Sequence, residues 1–325
     1  MKKILVTYQI PKEGLSELFK NYEVTYPAET AMTREQILTV ISNYDALIPP
    51  AVKVDSEILN AATKLKIISN FGVGYDNIDV EYCTAKGILV TNLPEAVTES
   101  TAELAFGLMI NVLRRISECD RNLRRDANFD WGIMKNLGHN LFGKTLGIIG
   151  MGRIGFALAK RAKAFGMDIS YSDERRLEKI KELELAAAHK DFNELLRTSD
   201  VISVHIPYTP QTYHLIGEKE FALMKPTSYL INTSRGPVID ETALAKCLKH
   251  GQIAGAGLDV YEKEPIITPQ LMDLDQVVLT PHIGTGTVET RVQMAQAAAK
   301  NIQDYFSGVK PSFMVNPEVI SKGFN

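Results

Sequence analysis

The sequence has few cysteines and no long hydrophobic run. Cys83, Cys119 and Cys247 are far apart, odd in number and not part of any CxxC or Cys/His cluster. This pattern predicts buried free thiols and no metal site, because zinc sites and disulfide frameworks need closely spaced or paired ligands. The apolar run that starts at Ile4 ends before Gln9. It is too short for a signal peptide or a membrane span, so it predicts a first strand in a cytoplasmic protein.

An excess of positive charge is also missing. The chain has 36 Lys and Arg against 39 Asp and Glu, and a formal net charge of -3. Nucleic-acid and anionic-membrane surfaces need local clusters of Lys and Arg, so both partners are excluded and a small-molecule partner is favoured. The 45% hydrophobic and 23% charged residues are typical of a folded globular protein. A length of 325 residues favours two domains.

Short β-branched runs alternate with helical patterns in two series along the chain. The strand candidates of the first series are residues 4–7, 24–26, 46–48, 65–69 and 88–91, with helices between them at 33–42 and 55–63. Those of the second series are residues 146–149, 169–171, 201–206, 229–231, 257–260 and 277–279. Alternation of this kind predicts parallel sheets covered on both faces, and the second series indicates a six-stranded doubly wound Rossmann sheet.

Two longer helical patterns separate the two series. One runs over residues 98–115, with Ser100 and Glu103 spaced as a capping box, and the other over 288–305. If both helices cross between domains, residues 1–97 and 286–325 form one discontinuous α/β domain and residues 98–285 form the other. A cleft between two such domains is a favoured ligand site.

A glycine-rich turn connects the strand at 146–149 to a helix at 154–165. Gly150 permits the tight turn, Gly152 lets backbone N–H groups approach a pyrophosphate, and Gly155 lets helix and strand pack closely. The helix N-terminus, which includes Arg153 and Ile154, then faces the anion. The motif predicts a bound dinucleotide.

The residue after the next strand points to NAD. Asp173 stands 18 residues after Gly155, close to the spacing of an acid that binds the adenosine ribose. Such a carboxylate accepts the ribose hydroxyls and repels the 2′-phosphate of NADP, so we expect a preference for NADH. Because Arg175 and Arg176 follow closely, the exclusion of NADP is expected to be incomplete.

Chemically useful side chains follow three later strands, where ligands of an open α/β sheet bind. Arg235 is able to hold a carboxylate through two parallel hydrogen bonds. Histidine is a common general acid, so His282 is able to pass a proton, and a carboxylate on its other ring nitrogen fixes the tautomer. Asp259 and Glu264 both lie in the segment between them. Together these groups supply what reduction of a 2-oxo acid requires.

These segments, with the glycine turn and Asp173, resemble the D-isomer-specific 2-hydroxyacid dehydrogenase family over nearly the whole chain. The family has a Rossmann domain and a smaller flavodoxin-like α/β domain. The resemblance implies that Arg235 orients the substrate, His282 is the acid/base and Glu264 is its partner, with substrate carboxylate on the amides of Val73 and Gly74. It implies contacts of the cofactor with Thr98, His205, Pro207, Thr212, Thr233, Ser234, Arg235, Asp259, His282 and Gly284, in addition to the glycine turn.

The loop at residues 68–74 is most similar to that of glyoxylate and hydroxypyruvate reductases, so small 2-oxo acids are the first choice. Larger aliphatic or aromatic 2-oxo acids stay open. A phosphoglycerate dehydrogenase-like enzyme is a further alternative, although Asn70 stands where those enzymes commonly carry Arg and we expect no regulatory domain. An NADH-sensing corepressor-like binding protein is the non-enzymatic alternative. The family also implies a homodimer built around residues 98–140, in which Trp131 is either a core anchor or a contact with the partner.

Overall fold

A computed structural model describes residues 1–127 and 129–320, and the chain divides into two compact units. One comprises Met1–Val97 together with the chain from Thr285 onward, and the other comprises Thr98–Gly284. Residue 128, in the predicted dimer segment, and residues 321–325, in the predicted first domain, lie outside the described residues.

The strands of the described ranges are short, mostly three to five residues. They are β1 (Lys3–Val6), β2 (Glu23–Thr25), β3 (Ala46–Ile48), β4 (Ile67–Ser69), β5 (Leu89–Thr91), β6 (Thr145–Ile149), β7 (Asp168–Ser172), β8 (Ala188–His189), β9 (Val201–Val204), β10 (Tyr229–Asn232), β11 (Gly255–Leu258) and β12 (Val277–Leu279). The α-helices are α1 (Ser16–Asn21), α2 (Arg34–Val40), α3 (Ser56–Ala61), α4 (Val80–Ala85), α5 (Thr98–Arg114), α6 (Ile116–Arg125), α7 (Arg153–Ala164), α8 (Lys179–Leu185), α9 (Phe192–Thr198), α10 (Glu218–Phe221), α11 (Glu241–Lys249), α12 (Pro269–Met272) and α13 (Val288–Phe306).

The first unit is a parallel sheet in the order β2-β1-β3-β4-β5, the flavodoxin-like order. Apolar residues of α1 and α13 pack on one face, and those of α2, α3 and α4 pack on the other. Because both faces are covered, β3, β4 and β5 are buried along their whole length. Side-chain caps start several helices, such as Asp55 at α3 and Asp79 at α4. The predicted flavodoxin-like sheet is confirmed.

The second unit is a parallel sheet in the order β12-β11-β10-β9-β6-β7-β8. Apolar residues of α5 and α7 cover one face, while α9, α10 and α11 cover the other. The order reverses between β6 and β9, and this switch point is where a doubly wound sheet binds dinucleotides. The predicted Rossmann fold is confirmed, but the described sheet has seven strands rather than six. Sequence patterns missed β8 because it is two residues long and exposed.

Three smaller predictions were wrong. Helix α5 already begins at Thr98, so Ser100 lies inside the first turn, is buried and is no N-cap of a capping box. Cys83 and Cys247 are buried as predicted, whereas Cys119 is only partly buried. His139, His189 and His250 are exposed as expected, but the side chain of His214 is only 28% exposed and lies 3.2 Å from Glu262. Among the described residues no helix is long and apolar enough to cross a membrane.

Candidate active site

The residues singled out in the second unit cluster at one edge of its sheet. The glycine turn follows β6, Asp173 follows β7, the His205 loop follows β9, the Arg235 loop follows β10, Asp259 follows β11 and His282 follows β12. Because the strands are all parallel, their carboxyl ends meet at the same edge. Thr98 joins them as the first residue of α5, where the hydroxyl of Thr101 donates to the carbonyl of Gly284 at 3.3 Å.

The glycine turn has the geometry that its sequence predicts. Gly150 has a φ of +93°, a conformation that side chains rarely adopt. Gly155 packs so tightly against the carbonyl of Gly150 that a Cβ there would overlap it. In contrast, a Cβ on Gly152, at the N-cap of α7, would meet no atom within 4 Å. Open space therefore lies in front of the helix N-terminus that starts at Arg153 and Ile154.

Asp173 holds the turn from the neighbouring strand. One oxygen of its carboxylate accepts the N–H of Met151 at 2.7 Å, inside the glycine turn. The other accepts the N–H of Arg175 at 2.9 Å. The predicted ribose acid thus also fixes the local backbone, which keeps the carboxylate beside the predicted pyrophosphate site.

The loop after β9 carries three of the predicted cofactor contacts. The N–H of His205 donates to the carbonyl of Ile149 at 2.8 Å, and its Nε2 lies 2.8 Å from the hydroxyl of Ser203. Burial lowers the pKa of His205 to about 4, so its ring is neutral at pH 7. The hydroxyl of Thr212 donates to the carbonyl of Pro207 at 2.9 Å and closes the loop.

The loop after β10 is shaped by Asn232. Its side-chain oxygen accepts the N–H of Ser234 at 3.0 Å, and its amide donates to the carbonyl of Arg235 at 3.0 Å. The guanidinium of Arg235 donates to the carbonyl of Ser234 at 2.8 Å. In the next segment, Gly236 packs directly on the backbone of Tyr261, where a Cβ would overlap the carbonyl. The Arg235 loop is thereby seated against the loop that carries Glu264.

Glu264 and His282 form the pair that the sequence predicted. The carboxylate of Glu264 lies 2.8 Å from Nδ1 of His282, and its other oxygen accepts the N–H of Tyr261 at 3.0 Å. Burial by itself would raise the pKa of Glu264, but the hydrogen bond and charge of His282, with Tyr261 and Arg235, hold it below its ordinary value. An ionised Glu264 accepts a hydrogen bond from the N–H at Nδ1, which leaves Nε2 of His282 for a ligand.

Asp259 fixes the backbone around His282. Its buried carboxylate accepts the N–H groups of Ile283 and Gly284, each at 2.8 Å, and the hydroxyl of Thr280 at 2.6 Å. His282 itself has a φ of +52°, which is uncommon for a residue with a side chain. Burial raises the pKa of Asp259 above its ordinary value despite these donors. The strained backbone persists because several bonds determine it at once.

The predicted substrate loop lies in the first unit, after β4. Asn70 donates to the carbonyls of Gly72 and Gly74, and the side chain of Asn92 donates to the carbonyl of Val73 at 2.8 Å. In a trans peptide the N–H points opposite to the C=O. Since the carbonyl of Gly72 accepts from Asn70 and that of Val73 from Asn92, the N–H of Val73 points away from Asn70 and the N–H of Gly74 points away from Asn92. Backbone N–H groups of such a turn are able to bind an anion.

Two observations test whether the second unit fits a dinucleotide. The space in front of Gly152 leaves room for a pyrophosphate at the start of α7. The hydroxyl of Thr233 is buried and has no hydrogen-bond partner among the described residues. A buried polar atom of this kind fits a missing ligand. No group of His, Cys, Asp and Glu side chains in the described ranges is arranged to hold a metal ion.

Four residues shape the site through hydrogen bonds that the sequence analysis did not predict. Asn232 and Thr280 bond the loops that carry Arg235 and His282, and Asn70 bonds the Val73 loop. Tyr261 is buried, and its hydroxyl donates to the carbonyl of Thr280 at 2.9 Å. All four are polar or aromatic residues at or just after the end of a strand. Only the contacts in the folded protein distinguish them from neighbouring residues of the same loops.

Comparison with known proteins places the chain in a family. Residues 106–284 match the NAD binding domain of the D-isomer specific 2-hydroxyacid dehydrogenases. A glyoxylate reductase of Thermococcus litoralis is 48% identical over 98% of both chains. Among solved structures, a glyoxylate reductase from Paecilomyes thermophila aligns with a TM-score of 0.87 and 34% identity, covering 98% of this chain and 99% of that one.

A third relative was solved with NADP bound. The NADPH-dependent glyoxylate/hydroxypyruvate reductase of Sinorhizobium meliloti, solved with NADP and malonate, aligns with a TM-score of 0.85 and 31% identity over 97% of this chain and 96% of that one. The fold of this chain and its match to an NAD binding domain establish a nicotinamide dinucleotide as the cofactor class. The chain belongs to the D-isomer specific 2-hydroxyacid dehydrogenase family, and it is an oxidoreductase that acts on CH–OH groups.

Proposed function

We propose that this protein reduces a small 2-oxo acid, glyoxylate or hydroxypyruvate, to the D-2-hydroxy acid with NADH as the reductant. The observation that carries the proposal is the 2.8 Å contact between Glu264 and Nδ1 of His282, at the sheet edge that also presents Arg235 and the glycine turn. This edge combines a proton donor, an anion clamp and a dinucleotide-binding turn. The names of the relatives support the substrate class.

The chain's own residues perform three tasks. When bound, NADH supplies the hydride that reduces C2 of the 2-oxo acid. His282, protonated and held through Nδ1 by Glu264, donates a proton from Nε2 to the carbonyl oxygen. Arg235 stabilises the negative charge that develops on that oxygen and pairs with the substrate carboxylate. In the first unit, the amides of Val73 and Gly74 are proposed as donors to a carboxylate.

The preference for NADH rests on Asp173. Its carboxylate is anchored to the glycine turn through Met151, so it is poised to accept ribose hydroxyls and to repel a 2′-phosphate. A relative with the same fold was solved with NADP, so the choice between NADH and NADPH needs its own measurement. The preference is measured as the ratio of kcat/KM with NADH to that with NADPH. A ratio of one or less contradicts it.

The substrate is tested by following the loss of NADH absorbance with glyoxylate, hydroxypyruvate, phosphohydroxypyruvate, pyruvate, phenylpyruvate and 2-oxoisocaproate. We expect the highest kcat/KM with the first two. Lys64 and Lys66 precede β4, at the end opposite to the Val73 loop, which argues against recognition of a phosphorylated substrate. Highest activity with phenylpyruvate or 2-oxoisocaproate would favour the larger-substrate alternative. Tight NADH binding without turnover of any acid would favour a corepressor-like sensor.

We also propose that two copies associate through the segment around residues 98–140. Large apolar side chains are unusually exposed there: Trp131 is 82% exposed and Ile133 is 95% exposed, with Met134, Leu137 and Phe142 also exposed. Such a run favours burial against another chain. Trp131 is thus a proposed partner contact rather than a core anchor. Size-exclusion chromatography with light scattering is expected to give a dimer, and a monomer would refute the proposal.

The cytoplasmic location stays a prediction from the sequence.

A further inference from the structure

A buried carboxylate holds one of the two arginines that follow Asp173. Nε of Arg176 donates to one oxygen of Glu182 at 2.7 Å, and Nη2 donates to the other at 3.1 Å. The side chain of Glu182, on α8, is only 5% exposed, whereas that of Arg176 is 62% exposed. The Glu182 carboxylate also accepts the hydroxyl of Tyr171, a fully buried residue of β7, at 2.7 Å. Arg176 is therefore tied to a group that is anchored in the core.

The connection between Asp173 and α8 is fixed at both ends. The N–H of Arg175 donates to Asp173 at 2.9 Å, and the N–H of Leu177 donates to the hydroxyl of Tyr171 at 2.9 Å. Hydrogen bonds from Arg176 and Tyr171 lower the pKa of Glu182 to about 2, despite its burial. The carboxylate is thus ionised over the working pH range, and its pairing with Arg176 persists.

This pairing bears on the choice of cofactor. NADPH differs from NADH by a 2′-phosphate, and enzymes that use it commonly bind that phosphate with an arginine near the ribose acid position. The value of arginine in such a contact is its planar pair of N–H donors. In Arg176 one such pair of donors, Nε and Nη2, already binds Glu182.

We propose that Glu182 determines cofactor specificity from outside the ribose contact, by holding Arg176 away from the 2′-phosphate of NADPH. The inference rests on the proposed function, in which Asp173 binds the ribose and selects NADH. Asp173 repels the 2′-phosphate directly. Glu182 acts indirectly, because it holds Arg176, which would otherwise bind that phosphate and offset the repulsion. The two contributions are separable because they depend on different residues.

The test uses ligand binding as well as turnover. Titration calorimetry measures the affinity of the full-length protein for adenosine 2′,5′-bisphosphate and for AMP, which differ by the 2′-phosphate. The comparison of Asp173→Asn with wild type tests the proposed function. Adding Glu182→Gln to Asp173→Asn tests the inference. We expect addition of Glu182→Gln to tighten bisphosphate binding by about fivefold, because one ion pair of Arg176 is released. AMP binding is expected to stay unchanged. The kcat/KM with NADPH is expected to rise in parallel.

Two controls identify the cause of any gain. Glu178→Gln removes a carboxylate four residues away that is 73% exposed and pairs with Lys181 rather than Arg176. It is expected to have little effect on bisphosphate binding. Arg176→Ala, combined with Glu182→Gln, is expected to abolish the gain. Far-UV circular dichroism and the thermal midpoint show whether each variant is folded.

The inference is overturned if the folded Asp173→Asn/Glu182→Gln protein binds the bisphosphate no more tightly than Asp173→Asn does. It is also overturned if Glu178→Gln gives an equal gain, or if the gain survives Arg176→Ala, since either result indicates a general charge effect. Should Glu182→Gln not fold, Glu182→Asp keeps the charge but shortens the side chain and breaks the two-bond pairing. That variant then has to show the gain, and its absence refutes the proposal.

Discussion

His282 and Asp259 are joined through the main chain as well as through a side chain. The N–H of His282 donates to the carbonyl of Asp259 at 2.8 Å, while the Asp259 carboxylate binds the N–H groups of the two residues that follow His282. This double attachment holds the histidine in its left-handed conformation with Nδ1 directed to Glu264. The proposed proton donor, His282, is thus positioned by the backbone at the end of a neighbouring strand.

Removal of the His282 ring is expected to abolish most turnover without loss of cofactor binding. Since general acid catalysis contributes about 10²- to 10⁴-fold, kcat of His282→Ala is expected to fall by that factor. NADH binding, followed by quenching of protein fluorescence, is expected to stay within a few-fold of wild type. His250→Ala, at an exposed histidine of the same unit, is the control. Normal turnover by His282→Ala would remove this residue from the mechanism.

Arg235→Lys tests the anion clamp. Lysine keeps the charge but lacks the planar pair of donors, so substrate binding is expected to weaken more than cofactor binding. Loss of a hydrogen bond to a charged group costs about 1.5–3 kcal/mol, so KM for the 2-oxo acid is expected to rise roughly 10- to 100-fold. Arg197→Lys, at an exposed arginine of α9, is the matched control. Unchanged KM values in Arg235→Lys would contradict the clamp.

The close approach of Gly236 to Tyr261 predicts a cost in stability. A Cβ at residue 236 would overlap the Tyr261 carbonyl, so Gly236→Ala is expected to lower the free energy of unfolding by about 1–3 kcal/mol, as overpacking does. Gly107→Ala on α5 is the control, because a Cβ there meets no atom within 4 Å. That change is expected to be neutral or to stabilise by about 0.5–1 kcal/mol. Urea unfolding measures both, and equal effects would contradict the steric argument.

Sequence patterns predicted this fold well wherever the signal was local. The runs that became β3, β4 and β5 are mostly apolar and are buried along their whole length, and the glycine turn needs only its own residues to be recognised. Strand β8 was missed, because a two-residue exposed strand has no periodicity. The start of α5 at Thr98 was predicted, but the capping box at Ser100 was wrong, because a plausible spacing competes with the true helix start.

The sequence predicted which residues form the site but not the hydrogen bonds that hold their loops in place. Arg235, Glu264 and His282 were identified from the order of motifs, and the structure brings Glu264 and His282 into contact. The bonds of Asp259 to Ile283 and Gly284 connect residues more than twenty positions apart. Neither spacing nor composition encodes such contacts, because they depend on two strands that lie side by side in the sheet.

Burial of His205 predicts an acid-sensitive contribution to stability. Its pKa is about 4 when folded, against about 6.5 in an unfolded chain. The unfolded state therefore binds the extra proton between these values, and this contribution, complete above pH 6.5, is lost as the pH falls through about 4. His205→Asn is expected to flatten the decline of unfolding free energy over this window, by on the order of 1 kcal/mol per pH unit.

The measurement is urea unfolding of wild type and His205→Asn at intervals from pH 7 to 4. Comparison of the two slopes cancels the carboxylates, which titrate in both proteins alike. His250→Asn, at an exposed histidine, is expected to leave the slope as it is. Parallel curves for wild type and His205→Asn would show that His205 binds its proton equally well in both states.

Both ends of the chain build the first unit, and this has a consequence for synthesis on the ribosome. The hydroxyl of Ser69 donates to the carbonyl of Ala298 at 3.1 Å, and Met294, Ala295 and Ala299 of α13 fill the core beneath β1, β3 and β4. When residues 1–97 have emerged, α1 is present but α13, the longer helix on that face of their sheet, is still missing. The nascent chain must carry an open apolar surface while residues 98–284 are translated. Nascent chains halted before Val288 are therefore expected to depend on chaperones far more than the finished protein does.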